Sequence, residues 1–227
     1  MSARYAIYYA PDPTGALWRF GSAVLGIDAA TGREVPHPEG PPFDGPDWAD
    51  LTAEPRRYGF HATLKAPFGL ADGRSEADLL AAAERLADAR AAVALPALAV
   101  ATLGAFTALV PANGRQVVLD DLAADCVRAF EPFRAPLSPA DRERRLRSPL
   151  TDRQIRQLDA VGYPYVFDDF RFHLTLTGPL PETRREPVRA ALAARAPGEG
   201  ERLDAICIYR QASRTEGFTI MARCRFG

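Results

Sequence analysis

Three histidines occur in the chain, and two of them stand in the same frame: His61-Ala62-Thr63-Leu64 and His173-Leu174-Thr175-Leu176. In an extended strand, residues two apart share a face, so each segment presents an imidazole and a hydroxyl together while its apolar residues turn the other way. Two such pairs suit the hydrolysis of a phosphodiester. One imidazole, with an ordinary pKa near neutrality, takes a proton from attacking water while the other gives one to the leaving oxygen. Hydroxyls fixed two residues away stabilise the charge on the non-bridging oxygens. No metal is needed for that chemistry, and no cofactor is expected. His61 and His173 are therefore the candidate acid/base pair, and Thr63 and Thr175 the candidate phosphate-binding residues.

The segments around these residues read as strands. Gly59 to Phe68 alternates large apolar and polar residues, which sends Phe60, Ala62 and Leu64 to the core and His61, Thr63 and Lys65 to the polar face. Phe170 to Leu176 repeats the pattern, with Arg171, His173, Thr175 and Thr177 opposite Phe172, Leu174 and Leu176. Lys65, Arg171, Thr177 and Tyr58 are candidate substrate contacts. Lys65 is the single lysine of the chain.

The remaining elements follow from periodicity and punctuation. Tyr5 to Ala10 reads as a strand, and Leu17, Phe20, Val24 and Leu25 mark a helix that Gly26 stops. Six prolines between Gly32 and Arg57 predict a long irregular loop, a candidate lid. Ser75 and Asp78 form a capping box. Leu95 to Val110 supplies one or two strands, Pro111 to Gly114 a turn, and Gln116 to Leu119 a returning strand. Leu122, Cys126 and Phe130 mark a further helix. Ser138-Pro139 and Ser148-Pro149 each read as helix starts, Thr183 and Glu186 as a second capping box, and Leu203 to Tyr209 and Phe218 to Phe226 as closing strands. The order after each H-x-T is the same, so the expected class is α+β. The whole chain, 1–227, forms one bilobal domain, with lobes centred on 59–119 and 170–226. Each lobe would be a small antiparallel sheet with helices on its outer face, and the active cleft would lie between them.

The 227 residues carry 28 basic and 29 acidic side chains, a net charge of -1. That balance disfavours a long nucleic-acid groove and leaves a small phosphorylated substrate as the expected partner. At 47% hydrophobic and 25% charged, the composition supports an ordinary packed core. Cys126, Cys207 and Cys224 are too scattered for zinc or a disulfide framework and read as reduced core thiols. The start of the chain lacks a signal-peptide pattern, and the uncharged stretch 91–114 is broken by prolines and glycine, so a cytoplasmic monomer away from membranes is expected. Dinucleotide, P-loop and zincin motifs do not occur. Asp168-Asp169 point oppositely in a strand and make a poor metal pair. His37, among prolines, reads as solvated. The run Asp141 to Arg147 reads as a solvated helix face, with steering of an anionic substrate as its sharper alternative.

The words R-Y-A-I-Y-Y-A-P, R-R-Y-G-F-H-A-T-L-K-A-P-F and F-H-L-T-L-T-G-P-L resemble the two-histidine (2H, LigT-like) phosphoesterase superfamily. They are most similar to bacterial proteins encoded in phosphonate-utilisation operons, over nearly the whole length. The resemblance implies a hydrolase opening a cyclic phosphodiester on a small sugar or nucleotide, with His61 and His173 catalytic and Thr63 and Thr175 on the phosphate. A ribose cyclic phosphate is one substrate that context suggests. Two other readings stand beside it: a non-catalytic module that binds a phosphometabolite, and an RNA 2'-5' phosphodiesterase or ligase.

Overall fold

A computed structural model describes residues 3–198 and 200–227. In chain order the elements are β1 (Arg4–Tyr9), α1 (Ala16–Leu25), β2 (Ile27–Asp28), β3 (Arg33–Glu34), α2 (Trp48–Arg56), β4 (Ala62–Phe68), α3 (Glu76–Asp88), β5 (Val93–Ala94), β6 (Leu98–Leu103) and β7 (Phe106–Pro111). They continue as α4 (Val117–Phe130), α5 (Pro139–Leu146), α6 (Asp152–Val161), β8 (Leu174–Thr175), α7 (Glu182–Ala193), β9 (Arg202–Leu203), β10 (Ala205–Gln211) and β11 (Thr219–Arg225). The fold is α+β, as the alternation of strand and helix patterns predicts.

Seven strands form one antiparallel sheet in the order β11-β10-β1-β4-β8-β7-β6. The strand β1 lies inside it and is apolar at every position from Tyr5 to Ala10 because both of its faces are buried. Its alternation sends Tyr5, Ile7 and Tyr9 to the main core and Ala6, Tyr8 and Ala10 to a smaller cluster with Trp18, Tyr209 and Phe218. On the main-core face α3 packs on β10 and β11, α4 on β4, and α7 on β6 and β7. Leu79, Leu122, Phe130, Val188 and Leu192 meet Leu64, Leu109, Leu174 and Ile208 there. The opposite face of β4 and β8 carries the polar residues of both H-x-T segments.

The sheet runs β11-β10-β1-β4 on one side of the β4–β8 pairing and β8-β7-β6 on the other, and the four strands of the first part are not consecutive in the chain. The hairpin β6–β7 that follows the first H-x-T pairs with β8, and β10–β11, which follow the second, pair with β1. The two small sheets expected are thus one sheet. It is joined across β4 and β8 at the pair Ala62 and Leu174. Pairing partners are a non-local choice, and the apolar β1 draws the last strands to its free edge.

Several local expectations are corrected. The proline-rich segment 32–57 holds a helix, α2. Pro55 in its last turn has no N–H to give the Leu51 carbonyl, and the N–H of Gly178 takes that place at 2.7 Å. Gln116 to Leu119 is the start of α4, since Leu119, Leu122, Ala123 and Cys126 bury one helical stripe and leave Val117 exposed. Ser138 caps α5 with Pro139 in its first turn, as read. Thr151, not Ser148, caps α6, through a capping box with Gln154. Thr183 lies inside α7, whose N-cap is Pro181. Ser75 and Asp78 form the expected box on α3. The three cysteines are free and buried, and no helix of the described residues is long and apolar enough to cross a membrane.

Candidate active site

The pairing of Ala62 with Leu174 sets the site. In an antiparallel pair, the residues on either side of a matched pair also face each other, so His61 comes opposite Thr175 and Thr63 opposite His173. Opposed Cβ atoms lie about 4.5–5.5 Å apart and diagonal ones about 7 Å. The two imidazoles therefore occupy one diagonal of a small rectangle and the two hydroxyls the other, on the face away from the main core.

Both imidazoles are held the same way. Nδ1 of His61 lies 2.8 Å from the Gly59 carbonyl and Nδ1 of His173 lies 2.7 Å from the Arg171 carbonyl, each two residues upstream. A carbonyl only accepts, so Nδ1 carries the proton in both rings and Nε2 is the free basic nitrogen. Nε2 of His61 meets the Thr63 hydroxyl at 3.2 Å. Gly59 makes its carbonyl available by adopting φ +71°, and it packs so closely on Ala29 that an added Cβ would lie 2.4 Å from that residue's methyl.

Burial favours the neutral ring at both positions. His61 is pushed down to about 3 by burial, against the supporting hydrogen bond to Gly59 and with a further lowering by His173. His173 is lowered by burial, opposed by the Arg171 carbonyl. Without an anion present, both are neutral bases near pH 7.

A cavity of about 360 Å³ opens over His61, Thr63, Thr175, Thr177 and Tyr58. His173 is not among the lining residues; its ring centroid lies 5.8 Å from that of Phe106, which lines the cavity. Two predicted substrate contacts are not brought to it, and one is already engaged. Lys65 is the clearest case. The β1–β4 register runs Tyr9 to Ala62, Tyr8 to Thr63, then Ile7 to Lys65, so one extra residue bulges β4 and turns Lys65 to the helix-packed face with Ile7. There its ammonium bonds Glu131 at 2.8 Å and the Val127 carbonyl at 3.3 Å on the α4 side. Arg171 is exposed and outside the cavity lining. Thr177 is fully buried, and its hydroxyl donates to the Gly178 carbonyl and accepts from the Thr107 N–H, which ties β7 to the segment after β8. His37 is half-buried and caps the end of α1 through the Ala23 carbonyl at 3.0 Å.

Other residues of the cavity were not singled out by their sequence. Tyr8, opposite Thr63 on β1, stacks on His61 with centroids 3.6 Å apart and planes at 16°. The strand pattern put Tyr8 on a buried face but held no sign of the stack. Glu54 and Pro55 from α2, with Phe106 and Tyr163, complete the walls. Arg145, inside the charged run read as a solvated face, also reaches the cavity. Its guanidinium sits 4.7 Å over the Tyr163 ring, and its Nε is buried without a hydrogen-bond partner among the described residues. The local excess of arginine was the signal available.

Two curated relatives match most of this chain. Over 179 residues, 79% of the chain, it is 43% identical to a protein of Laribacter hongkongensis (strain HLHK9) named ribose 1,5-bisphosphate phosphokinase PhnN. Over 177 residues, 78% of the chain, it is 40% identical to a protein of the same name from Janthinobacterium sp. (strain Marseille). The matches take in 41% and 39% of those proteins, so the chain spans about two-fifths of their length. A family model matches residues 63–219, from the first site threonine to β11. The chain belongs to that family, described as "Protein of unknown function (DUF1045)".

Proposed function

We propose that this chain is a metal-independent phosphodiesterase of the two-histidine type that opens a small cyclic phosphodiester on a sugar phosphate or nucleotide, in phosphonate metabolism. The observation that carries this reading is the Ala62–Leu174 register. It brings two H-x-T segments face to face, with both Nδ1 atoms tied to carbonyls, Nε2 of His61 against the Thr63 hydroxyl, and Nε2 left as the basic nitrogen in each ring. Bound phosphodiester adds a negative charge beside two neutral imidazoles and raises their proton affinity, so one enters the reaction protonated. His61, the more strongly held in its neutral form, acts as base and takes a proton from water at Nε2. The water oxygen attacks phosphorus, the ring P–O bond breaks, and the imidazolium of His173 protonates the departing oxygen, leaving a monoester. Thr63 and Thr175 donate to the non-bridging oxygens, and Tyr8 supports the charged form of His61 with its ring face.

The kinase name of the relatives is that of proteins more than twice the length of the segment they share with this chain. A P-loop needs a lysine after glycine, and the single lysine here stands between Leu64 and Ala66 on a bulged strand. Their name nevertheless supports a ribose phosphate as the sugar handled, with the ring-opened monoester passed on to phosphorylation.

Phosphorus NMR on the purified protein in EDTA tests the proposal, against nucleoside 2',3'-cyclic phosphates, ribose cyclic phosphates and a 2'-5' dinucleotide. Conversion of a cyclic substrate to a monoester, lost in His61→Ala and in His173→Ala, is expected. Turnover retained in both variants refutes the mechanism, and no conversion across the panel returns the site to a binding module.

A further inference from the structure

A second cavity of about 360 Å³ adjoins the first beyond the end of β4, sharing Pro67 and Arg145 with it. Five arginines line it, Arg4, Arg134, Arg144, Arg145 and Arg214, against one carboxylate, Asp141. Arg144 and Arg214 share that carboxylate at 2.7 and 3.1 Å. Arg134 pairs with Glu131, which also answers Lys65, so that network contributes no spare negative charge. Among the described residues, Arg4 bonds only the neutral amide of Gln211 and stacks over Phe218, and Arg145 Nε has no partner. The lining thus holds a formal excess of four positive charges, five guanidiniums less one carboxylate. Crowded cations of this kind raise the free energy of the empty site and are relieved by an anion that several forks contact at once. In keeping with this, Arg4 is lowered by burial and then by the charge of Arg214.

We infer that the arginine-lined cavity is a subsite for a phosphomonoester, carried by the same substrate whose cyclic diester lies at the histidines. The inference rests on the proposed function for the second half of that statement and on the cavity alone for the first. Pro67, which both cavities share, lies four residues along β4 from Thr63, so the two linings meet on the strand that carries the first phosphate-binding hydroxyl. Arg145, in the lining of both cavities, stands between the two phosphates. The substrate class is therefore a sugar with a cyclic phosphodiester at one end and a phosphomonoester at the other. A ring bearing the diester alone leaves the second cavity unfilled.

Titration calorimetry with ribose 5-phosphate, inorganic phosphate and ribose tests the subsite without requiring turnover. Ribose 5-phosphate should bind the native protein with a strong salt dependence, about tenfold more weakly to an Arg144→Gln/Arg214→Gln double variant, and undiminished to His61→Ala. Equal affinity for the native protein and the double variant, or loss of binding in His61→Ala alone, overturns the subsite. A kinetic arm compares adenosine 2',3'-cyclic phosphate with its 5'-phosphorylated counterpart. The native enzyme should favour the latter in kcat/KM by about tenfold, and the double variant should lose that preference. No preference in the native enzyme, with inorganic phosphate binding as tightly as ribose 5-phosphate, makes the cavity a free-anion site and overturns the substrate assignment. Turnover of neither nucleotide and of no ribose cyclic phosphate would refute the phosphodiesterase while the titration still decides the cavity.

Discussion

Gly59→Ala is the sharpest perturbation of the site, because two separate costs meet at one atom. The φ of +71° is in the left-handed region, which costs a residue with a Cβ about 1–2 kcal/mol. The new methyl would overlap that of Ala29 at 2.4 Å, an overpacking that costs about 1–3 kcal/mol. Together they predict a loss of about 2–5 kcal/mol, and so a fall in Tm of roughly 5–15 °C for a chain of this size. Ala29→Gly separates the two, since the next atom of Ala29 would be 3.7 Å from the new Cβ, an ordinary contact. In a double-mutant cycle followed by circular dichroism, Ala29→Gly in the Gly59→Ala background should restore the overlap cost, about 1–3 kcal/mol, and leave the backbone cost. Nitrogen NMR of the imidazoles gives a second readout, because a displaced Gly59 carbonyl no longer holds the proton on Nδ1 of His61. A Gly59→Ala protein melting within about 2 °C of the native one refutes the strain argument. Absence of any coupling with Ala29 refutes the overlap.

Other outcomes follow from the same geometry. Lys65→Met should destabilise the fold by about 1–3 kcal/mol in chemical denaturation, since it removes a charge-assisted hydrogen bond from Glu131, which keeps Arg134 as its other partner, while KM for a cyclic substrate should not move. Thr63→Val should lower kcat about a hundredfold and Thr63→Ser should restore most of it, in steady-state kinetics. The histidines also make stability depend on pH. With the folded-state value of His61 at about 3 and its ordinary value at 6.5, the unfolded chain binds more protons between those limits, so stability is complete above pH 6.5 and falls as pH drops toward 3. Melting curves from pH 7 to 5 should show that decline, and His61→Phe should flatten it.

The faces of both site segments were legible because alternation is written in F-H-A-T-L and F-H-L-T-L, although the second, read as a strand over 170–176, pairs as one only at Leu174–Thr175. Lys65 was misplaced because the bulge that turns it arises from pairing with β1, and nothing local to T-L-K-A marks it. The helix α2 was hidden by its prolines. Its tolerance of Pro55 depends on the Gly178 N–H, over a hundred residues downstream. The exchange of hairpins between the half-sheets was equally invisible, since each hairpin carries the same pattern whichever strand receives it. Arg145 could be read as part of a charge excess, but not as a group that reaches the cavity.

The central place of β1 bears on how the protein is made. This strand can gain β4 soon after both are made, but β10, which covers its other edge, follows only after α7 and β9. Until residues 205–211 leave the ribosome, an apolar strand with open backbone donors and acceptors has no native partner on that side, which is a template for pairing with another nascent chain. Chains interrupted in that interval would aggregate rather than persist as half-folded species, and the time spent translating the residues between β4 and β10 would govern the yield of folded protein.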